Sequence, residues 1–161
     1  MTDDTDETEG TFVVTHAEAD SAVLRDVDSS RVHTLGDNPG VEAGDVLEAT
    51  LAPEPPLEVT HTVVEVAARR SVAVEESPEP PTAHEREVAA EQSVGDLTKR
   101  ERAGMGEIHV LSVPPADTDD AVRDVVEDDE TLARAARMPD VNRVEVRSDA
   151  DEGLVSVRYL P

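Results

Sequence analysis

Apolar and polar residues alternate in short runs over the first half of the chain. Each run is bounded by Gly, Pro, Asp or Ser, the residues that favour turns. Short strands separated by such turns predict a small antiparallel sheet that closes into a β-barrel or sandwich. The runs are TFVVT (11–15), SAVLRDV (21–27), RVHTL (31–35), DVLEATLA (45–52), LEVTHTVVEVA (57–67) and RSVAVE (70–75).

The pattern changes after residue 75. The stretch 76–83 contains three prolines, which predicts a linker. The residues after it favour a helix over 84–92 and a second, short helix over 97–103, which would be capped by Asp96. The next segment, 106–113, has apolar residues on both faces, so we expect it to be a central strand.

The last part of the chain predicts helices followed by a β-hairpin. A helical region extends from residue 117 or 118 to 138, and the acidic run 127–130 can divide it into two helices. If the hairpin turn covers 148–153, residue 144 pairs with 157 and residue 146 with 155, which gives the hairpin one apolar face. The order of strand, helix, strand and strand is similar to half of a ferredoxin-like domain.

These patterns together predict an α+β protein. A small antiparallel β-barrel or sandwich is followed by a β-α-β-β, half ferredoxin-like unit with preceding helices. The expected divisions are a disordered acidic tail (1–10), the barrel or sandwich (11–75), a Pro-rich linker (76–83) and the α/β unit (84–161). The tail contains five acidic residues and no apolar residue after Met1, a composition typical of disorder.

Charge extends this picture to the environment of the protein. The 161 residues include 38 acidic and 14 basic ones, the formal net charge is -24, and Lys99 is the only lysine. A surface rich in carboxylates and poor in lysine stems stays hydrated in concentrated salt. At about 1 M salt the Debye length is about 3 Å, so the self-repulsion of such a surface is screened. We therefore expect a salt-adapted, halophilic protein of the cytoplasm.

Two further features of the composition exclude several classes of protein. The chain has no cysteine, which excludes disulfides and a thiol nucleophile. No apolar run approaches the roughly 20 residues of a membrane-spanning helix, so no membrane partner is expected. The sequence also lacks a nucleophile elbow, a Walker-type loop and a dinucleotide-binding fingerprint. We therefore expect no cofactor and favour a protein that is not an enzyme, without excluding catalysis.

A first candidate site lies where three basic residues occur within four positions. Lys99, Arg100 and Arg102 precede the glycine-rich stretch 103–106, AGMG. Guanidinium forks and nearby backbone N–H groups are typical of sites for phosphate or another anion. The alternative is the last turn of a helix that ends at Gly104, where cations face the negative end of the helix dipole. In this alternative, Glu101, Asp96 and Glu107 also offer local partners that cancel much of the positive charge.

A second candidate site follows from the predicted hairpin register. Arg143 would lie opposite Arg158, with Arg147 on the same face. Like charges that oppose each other across a hairpin are unfavourable unless an anion separates them. The face therefore predicts binding of RNA or of another anionic ligand, or else local neutralisation by Glu145.

The histidines do not have the spacing of metal ligands. No pair lies two apart in one strand or four apart in one helix, so no metal site is expected. We predict that His61 is a hydrogen-bonded core histidine. A cluster of His16, His33 and His61 inside the barrel is the alternative.

Four long stretches of the chain resemble an uncharacterised family, a domain of unknown function, of small acidic haloarchaeal proteins. The resemblance implies a halophilic archaeal cytoplasm and brings no activity, ligand or site residue. Our leading interpretation is a non-catalytic binding or scaffolding module. The alternatives are a protein that binds RNA or a phosphorylated ligand through its arginines, and a subunit or homo-oligomeric protein-interaction module. The stretches are TFVVTHAEADSAVLRD, NPGVEAGDVLEATLAPEPPLEV, VGDLTKRERAGMGEIHVLSVPP and VEVRSDADEGLVSVRYLP.

Overall fold

The computed structural model describes residues 6–102 and 104–161. Within these residues the protein has ten strands in two sheets and three α-helices, which confirms the α+β class. The chain forms two compact units. The first contains the described residues up to Val72 together with Leu132–Arg137, and the second contains Ala73–Thr131 and Met138–Pro161.

The first sheet belongs to the first unit. Its neighbouring strands are antiparallel except β3 and β5, which share one parallel pair, Leu35 with His61. Alternate positions of the strands, with Phe12, Leu24 and Leu47 among them, are buried in a common core, as expected for a sheet with one buried face. The strands are β1 (Thr8–Glu18), β2 (Ser21–Asp26), β3 (Val32–Leu35), β4 (Asp45–Pro53) and β5 (His61–Ser71), in the order β1-β2-β3-β5-β4.

The hairpin of β4 and β5 differs from its predicted form. Strand β5 begins at His61, not at residue 57, and Leu57 and Val59 are 77% and 73% exposed. The prolines at 55 and 56 have no N–H to donate to a ladder, and the loop closes instead through a 2.8 Å hydrogen bond from Glu54 N to Thr60 O. The prediction of a strand that begins at residue 57 is therefore wrong.

The second sheet belongs to the second unit and has the order β6-β9-β10-β8-β7. Strands β6 and β9 are parallel, and all other neighbours are antiparallel. The strands are β6 (Ala73–Glu76), β7 (Leu97–Glu101), β8 (Glu107–Ser112), β9 (Arg143–Asp149) and β10 (Leu154–Leu160), and the helices of the chain are α1 (Ala83–Ala90), α2 (Thr118–Glu127) and α3 (Asp129–Arg137).

The helices begin and end at residues that the sequence marks. The predicted helix over 84–92 is confirmed as α1, which begins with a capping box between Thr82 and Glu85. The division of the longer helical region is also confirmed. Asp128 has an extended backbone between α2 and α3, and its carboxylate accepts a 2.9 Å hydrogen bond from Glu130 N. The acidic run therefore ends α2 and, through Asp128, caps the start of α3.

The predicted short helix over 97–103 is wrong. Residues Leu97–Glu101 form β7, which pairs along its whole length with β8. Asp96 does not cap a helix, since its carboxylate accepts a 3.0 Å hydrogen bond from Ser93 N in a turn. The side chain of Gln92 contacts both strands. Its Oε1 accepts a 2.5 Å hydrogen bond from Thr98 Oγ1 of β7, and its Nε2 donates a 2.8 Å hydrogen bond to Ser112 Oγ of β8. Pairing with a distant strand overrides the local preference of this segment for helix.

The register of the last hairpin is shifted by two residues from the predicted one. Val146 pairs with Val157 and Val144 with Tyr159, because β9 continues two residues further, to Asp149, and leaves a shorter turn before Leu154. A shift of two positions keeps every side chain on its predicted face. The apolar face is therefore confirmed, whereas the predicted opposition of Arg143 and Arg158 is wrong.

Candidate functional site

The first candidate cluster lies at an edge of the second sheet. Lys99 and Arg100 belong to β7, the outermost strand, and Arg102 directly follows it. Lys99 pairs with His109 and Arg100 with Ile108, so the two cations belong to opposite faces of the sheet. A strand in this position has one row of backbone N–H and C=O groups without a partner strand.

The two arginines of this edge donate hydrogen bonds to backbone carbonyl groups. Arg100 Nη1 donates to Lys99 O at 3.3 Å, and Arg102 Nη1 donates to Met105 O at 2.7 Å. Over residues 6–102 and 104–161, no carboxylate forms an ion pair with either arginine or with Lys99. Their charges are therefore available to a partner.

Apolar side chains accompany the cations. Val94, Leu97 and Met105 are 64%, 50% and 49% exposed, and Leu97 belongs to the same face as Lys99 because it lies two residues before it. We call the set formed by β7, Arg102 and these apolar side chains the β7 edge. It combines positive charge, exposed apolar area and free backbone groups.

The glycines after β7 have a structural role in the turn to β8. Gly106 has φ +95°, and a Cβ there would lie 2.0 Å from Tyr159 O, so only glycine fits this close backbone approach. Gly106 O also accepts a 3.1 Å hydrogen bond from Arg102 N. The turn precedes a strand and not a helix, so it has no helix N-terminus to hold a phosphate.

Arg158, of the second candidate cluster, is bound inside the second unit. Its Nη1 donates to Glu85 Oε2 at 2.6 Å, and Glu85 on α1 is fully buried. Glu145, which the register places directly opposite, holds its Oε1 3.6 Å from Arg158 Nε. The Arg158 side chain is only 14% exposed.

The other two hairpin arginines also contact carboxylates. Arg147 is bound to Glu145, and its Nη2 lies 2.7 Å from Glu79 Oε2. Arg143 Nη2 lies 4.0 Å from the second oxygen of Glu145. With Glu85, three carboxylates therefore face the three arginines. This arrangement matches the alternative of local neutralisation, and binding of an external anion here stays a prediction.

The two candidate clusters share a face only in part. Glu145, Arg158, Ile108 and Arg100 form one row across β9, β10, β8 and β7. Arg100 and Arg158 are thus separated by β8, about 10 Å at the usual spacing of strands. Lys99 belongs to the opposite face. The structure does not gather the six basic residues into a single pocket.

Two histidines meet in the first unit. The rings of His33 and His61 are 4.8 Å apart, and His33 also contacts Phe12 edge to face at 5.7 Å. Burial lowers the pKa of His33, and the nearby His61 and Arg31 lower it further, against the opposing effect of Asp26. Among the residues that the structure describes, no three histidines or acids are grouped as metal ligands.

The histidine predictions are correct in part. The Nδ1 atom of His61 is buried without a hydrogen-bond partner, so the prediction of a hydrogen-bonded core histidine does not hold there. His33 is the buried member of the pair, at 6% exposure, and His16 is exposed and not part of it. The position of two histidines on different strands cannot be read from their spacing.

Two features have no counterpart in the sequence analysis. Arg86 Nη1 lies 2.8 Å from both Asp149 and Glu152, and its hydrogen bond holds the pKa of the Asp149 carboxyl below its usual range. An open groove of about 320 Å³ is the second feature. It is lined by Glu76, Asp119, Val122, Arg123, Val126 and Glu127. The groove is acidic and lies beside β6, the edge strand opposite β7.

The fold and these surfaces define an α+β protein of two sheets, with Lys99 and Arg100 on an outermost strand. The chain belongs to a family of unknown function, DUF5812, whose pattern matches residues 8–148. No curated protein and no solved structure shows significant similarity to it. In the part of the chain that the structure describes, no helix has the length and apolar character of a membrane span.

Proposed function

We propose that this protein is a non-catalytic protein-interaction module that binds an acidic, extended segment of a protein partner along the β7 edge. The observation that carries the proposal is that β7 is an outermost strand, and that Lys99, Arg100 and Arg102 form no ion pair with any carboxylate of the residues that the structure describes. In a chain of net charge -24, such a strand is the place where an acidic segment meets attraction.

Strand addition explains the alternation of the cations. A segment that pairs with an edge strand sends successive side chains to opposite faces of the sheet. Lys99 and Arg100 belong to opposite faces, so two consecutive acidic residues of a bound segment would each meet one cation. Leu97 offers an apolar contact on the face of Lys99.

A short edge strand that carries lysine and arginine also has a purely protective interpretation. Charged side chains on edge strands oppose edge-to-edge aggregation. That interpretation accounts for the charge, but it does not require the exposed Val94, Leu97 and Met105 beside it. The two interpretations differ in whether an acidic strand binds, and this can be measured.

RNA or a phosphorylated ligand is the less favoured partner. Modules that read single-stranded RNA stack bases on aromatic side chains. The two aromatic residues of the chain, Phe12 and Tyr159, are 0% and 3% exposed. Phosphate contacts also weaken by about 0.9 log units per contact for each log unit of salt. The backbone hydrogen bonds of a bound peptide do not have this dependence, whereas its charge contacts to Lys99 and Arg100 do.

The environment and architecture that we propose complete this picture. The acidic surface and the single lysine support a halophilic protein of a salt-rich archaeal cytoplasm. The pairing of β4 with β1, and the bridge between β3 and β5, support a small barrel for the first sheet. The position of β10 between β9 and β8 supports a half ferredoxin-like arrangement for the second.

Fluorescence anisotropy in concentrated KCl tests the proposal. The probe is a labelled peptide in which pairs of consecutive glutamates are separated by valines. We expect K99A/R100A to bind about tenfold more weakly than the unchanged protein, since two opposite-charge contacts are lost. Arg123→Ala is the matched control. This arginine is also exposed, but it pairs with Asp120 on α2, and its removal should leave binding unchanged.

A second peptide separates strand addition from simple charge attraction. N-methylation of alternate backbone nitrogens removes the ladder hydrogen bonds and keeps the glutamates, so it should abolish binding. Equal binding of both peptides would overturn strand addition. Equal binding by the K99A/R100A variant, or tighter binding of an RNA oligonucleotide than of the peptide, would overturn the proposed function.

A further inference from the structure

The two edges of the second sheet carry opposite charge. Strand β6 ends in Glu75 and Glu76, both exposed, and the acidic groove continues from it toward α2. Strand β7, at the other edge, carries Lys99 and Arg100. We infer that the acidic strand that binds the β7 edge is β6 of a second copy of this chain. This inference rests on the proposed function and names its partner.

The strand directions allow this contact without distortion. Strand β6 is parallel to β9, while β10, β8 and β7 alternate in direction after it. Strand β7 is therefore antiparallel to β6 across the sheet. A second copy placed beside the first in the same orientation presents its β6 antiparallel to β7, and the faces of the two sheets are continuous.

The register also matches. One row across the sheet runs from Glu76 through β9, β10 and β8 to Lys99, and the next row runs from Glu75 to Arg100. If both rows continue into a second copy, Glu76 of the second copy lies opposite Lys99 of the first, and Glu75 of the second copy lies opposite Arg100 of the first. Both pairs belong to one antiparallel register, and within each pair the side chains belong to the same face.

Symmetric contacts between like edges are unfavourable. Residues directly opposite each other in an antiparallel pair share a face, so two β7 strands whose cations overlap set either Lys99 or Arg100 against the same residue of the other copy. Two β6 strands likewise set either Glu75 or Glu76 against the same residue of the other copy. Like charges directly opposite each other destabilise a ladder. The favoured contact is therefore heterologous, and it repeats from copy to copy.

Sheet twist and net charge define the form of this assembly. Each strand is rotated by about 20–25° from its neighbour, so a five-stranded sheet turns successive copies by about 100° or more. A helical array or a small ring follows, rather than a flat ribbon. The net charge of -24 on each copy opposes association in dilute buffer. We therefore expect assembly when salt screens this repulsion.

Charge reversal at each edge tests the inference. We would measure sedimentation velocity of the full chain in about 0.2 M and 2 M KCl, the higher salt corresponding to a Debye length of about 3 Å or less. The unchanged protein should associate in the higher salt. The variants K99E/R100E and E75K/E76R should each associate about tenfold more weakly, because each opposes like charges. An equimolar mixture of the two variants should recover the association.

The recovery in the mixture shows that both variants are folded, and far-UV circular dichroism of each checks this directly. Neutral variants, K99Q/R100Q and E75Q/E76Q, should have intermediate association. A monomeric unchanged protein at both salt concentrations would overturn the inference, as would association that neither reversal weakens. If the acidic peptide binds β7 while the chain stays monomeric, the inference fails alone. If neither binds, the proposed function fails with it.

Discussion

Replacing Glu85 by Gln removes a charge from the interior of the second unit with little change of shape. Glu85 is fully buried, and its Oε2 accepts a 2.6 Å hydrogen bond from Arg158 Nη1. Its other carboxylate oxygen accepts a 2.9 Å hydrogen bond from Thr82 N in the capping box of α1. Gln also serves at this position of a capping box, so E85Q removes chiefly the ion pair.

The expected cost follows from what remains around Arg158. Removing one partner of a buried ion pair costs about 3–5 kcal/mol, because the other charge stays buried without compensation. Glu145 Oε1, 3.6 Å from Arg158 Nε, still supplies a carboxylate, so we expect the lower end, about 3 kcal/mol. Thr82→Ala removes the cap and leaves the pair, and should cost about 1 kcal/mol.

Urea denaturation followed by circular dichroism in concentrated KCl measures these free energies. The set consists of E85Q, R158M and the double variant, with T82A as the control. The double variant should be less destabilised than the sum of the single variants, by about 1–3 kcal/mol, since neither charge is then left alone. Additive costs within about 0.5 kcal/mol would refute the reasoning and show that the pair contributes no coupling.

Three further predictions concern the turn, the histidine pair and the charge. Gly106→Ala should lower the free energy of unfolding at least twice as much as Gly104→Ala, because the new Cβ would lie 2.0 Å from Tyr159 O. Gly104 has a similar φ but open space around it, so its replacement should cost roughly 1 kcal/mol. Equal urea midpoints of the two variants would contradict this prediction. The pKa of His33 is lowered in the folded state, so the unfolded chain binds a proton more readily and the free energy of unfolding should fall as the pH drops below 6.5. This fall should be smaller in His33→Gln than in His16→Gln, the control at an exposed histidine. Thermal midpoints should rise from about 0.1 M to 2 M KCl, and a fall would contradict the salt-adapted surface.

Much of the architecture can be predicted from the sequence, because local signals act within one element. Period-two burial marks the strands of the first sheet, and the caps at Thr82 and Asp128 mark the starts of α1 and α3. The faces of the last hairpin are also correct despite an incorrect register. Alternation assigns a residue to a face, and a shift of two positions does not change that assignment.

The candidate site was less predictable, because its geometry depends on pairing between distant segments. The segment LTKRE is helix-favouring by composition, and only its ladder with β8 makes it a strand. Arg158 meets Glu85 across 73 positions of the chain, which no spacing rule anticipates. The hairpin pattern therefore raised the alternative of local neutralisation but could not show that α1 supplies one of the carboxylates, Glu85.

By itself, the sequence determined the α+β class, the approximate bounds of α1 and of the region of α2 and α3, the buried hairpin face and the concentration of cations around Lys99. These properties depend on local backbone preference and on the composition of single elements. Only the tertiary structure decided that Lys99 and Arg100 lie on an outermost strand and that Glu75 and Glu76 occupy the same rows at the opposite edge. Rows across a sheet are made by hydrogen bonds between strands that are far apart in the chain, so local patterns cannot specify them.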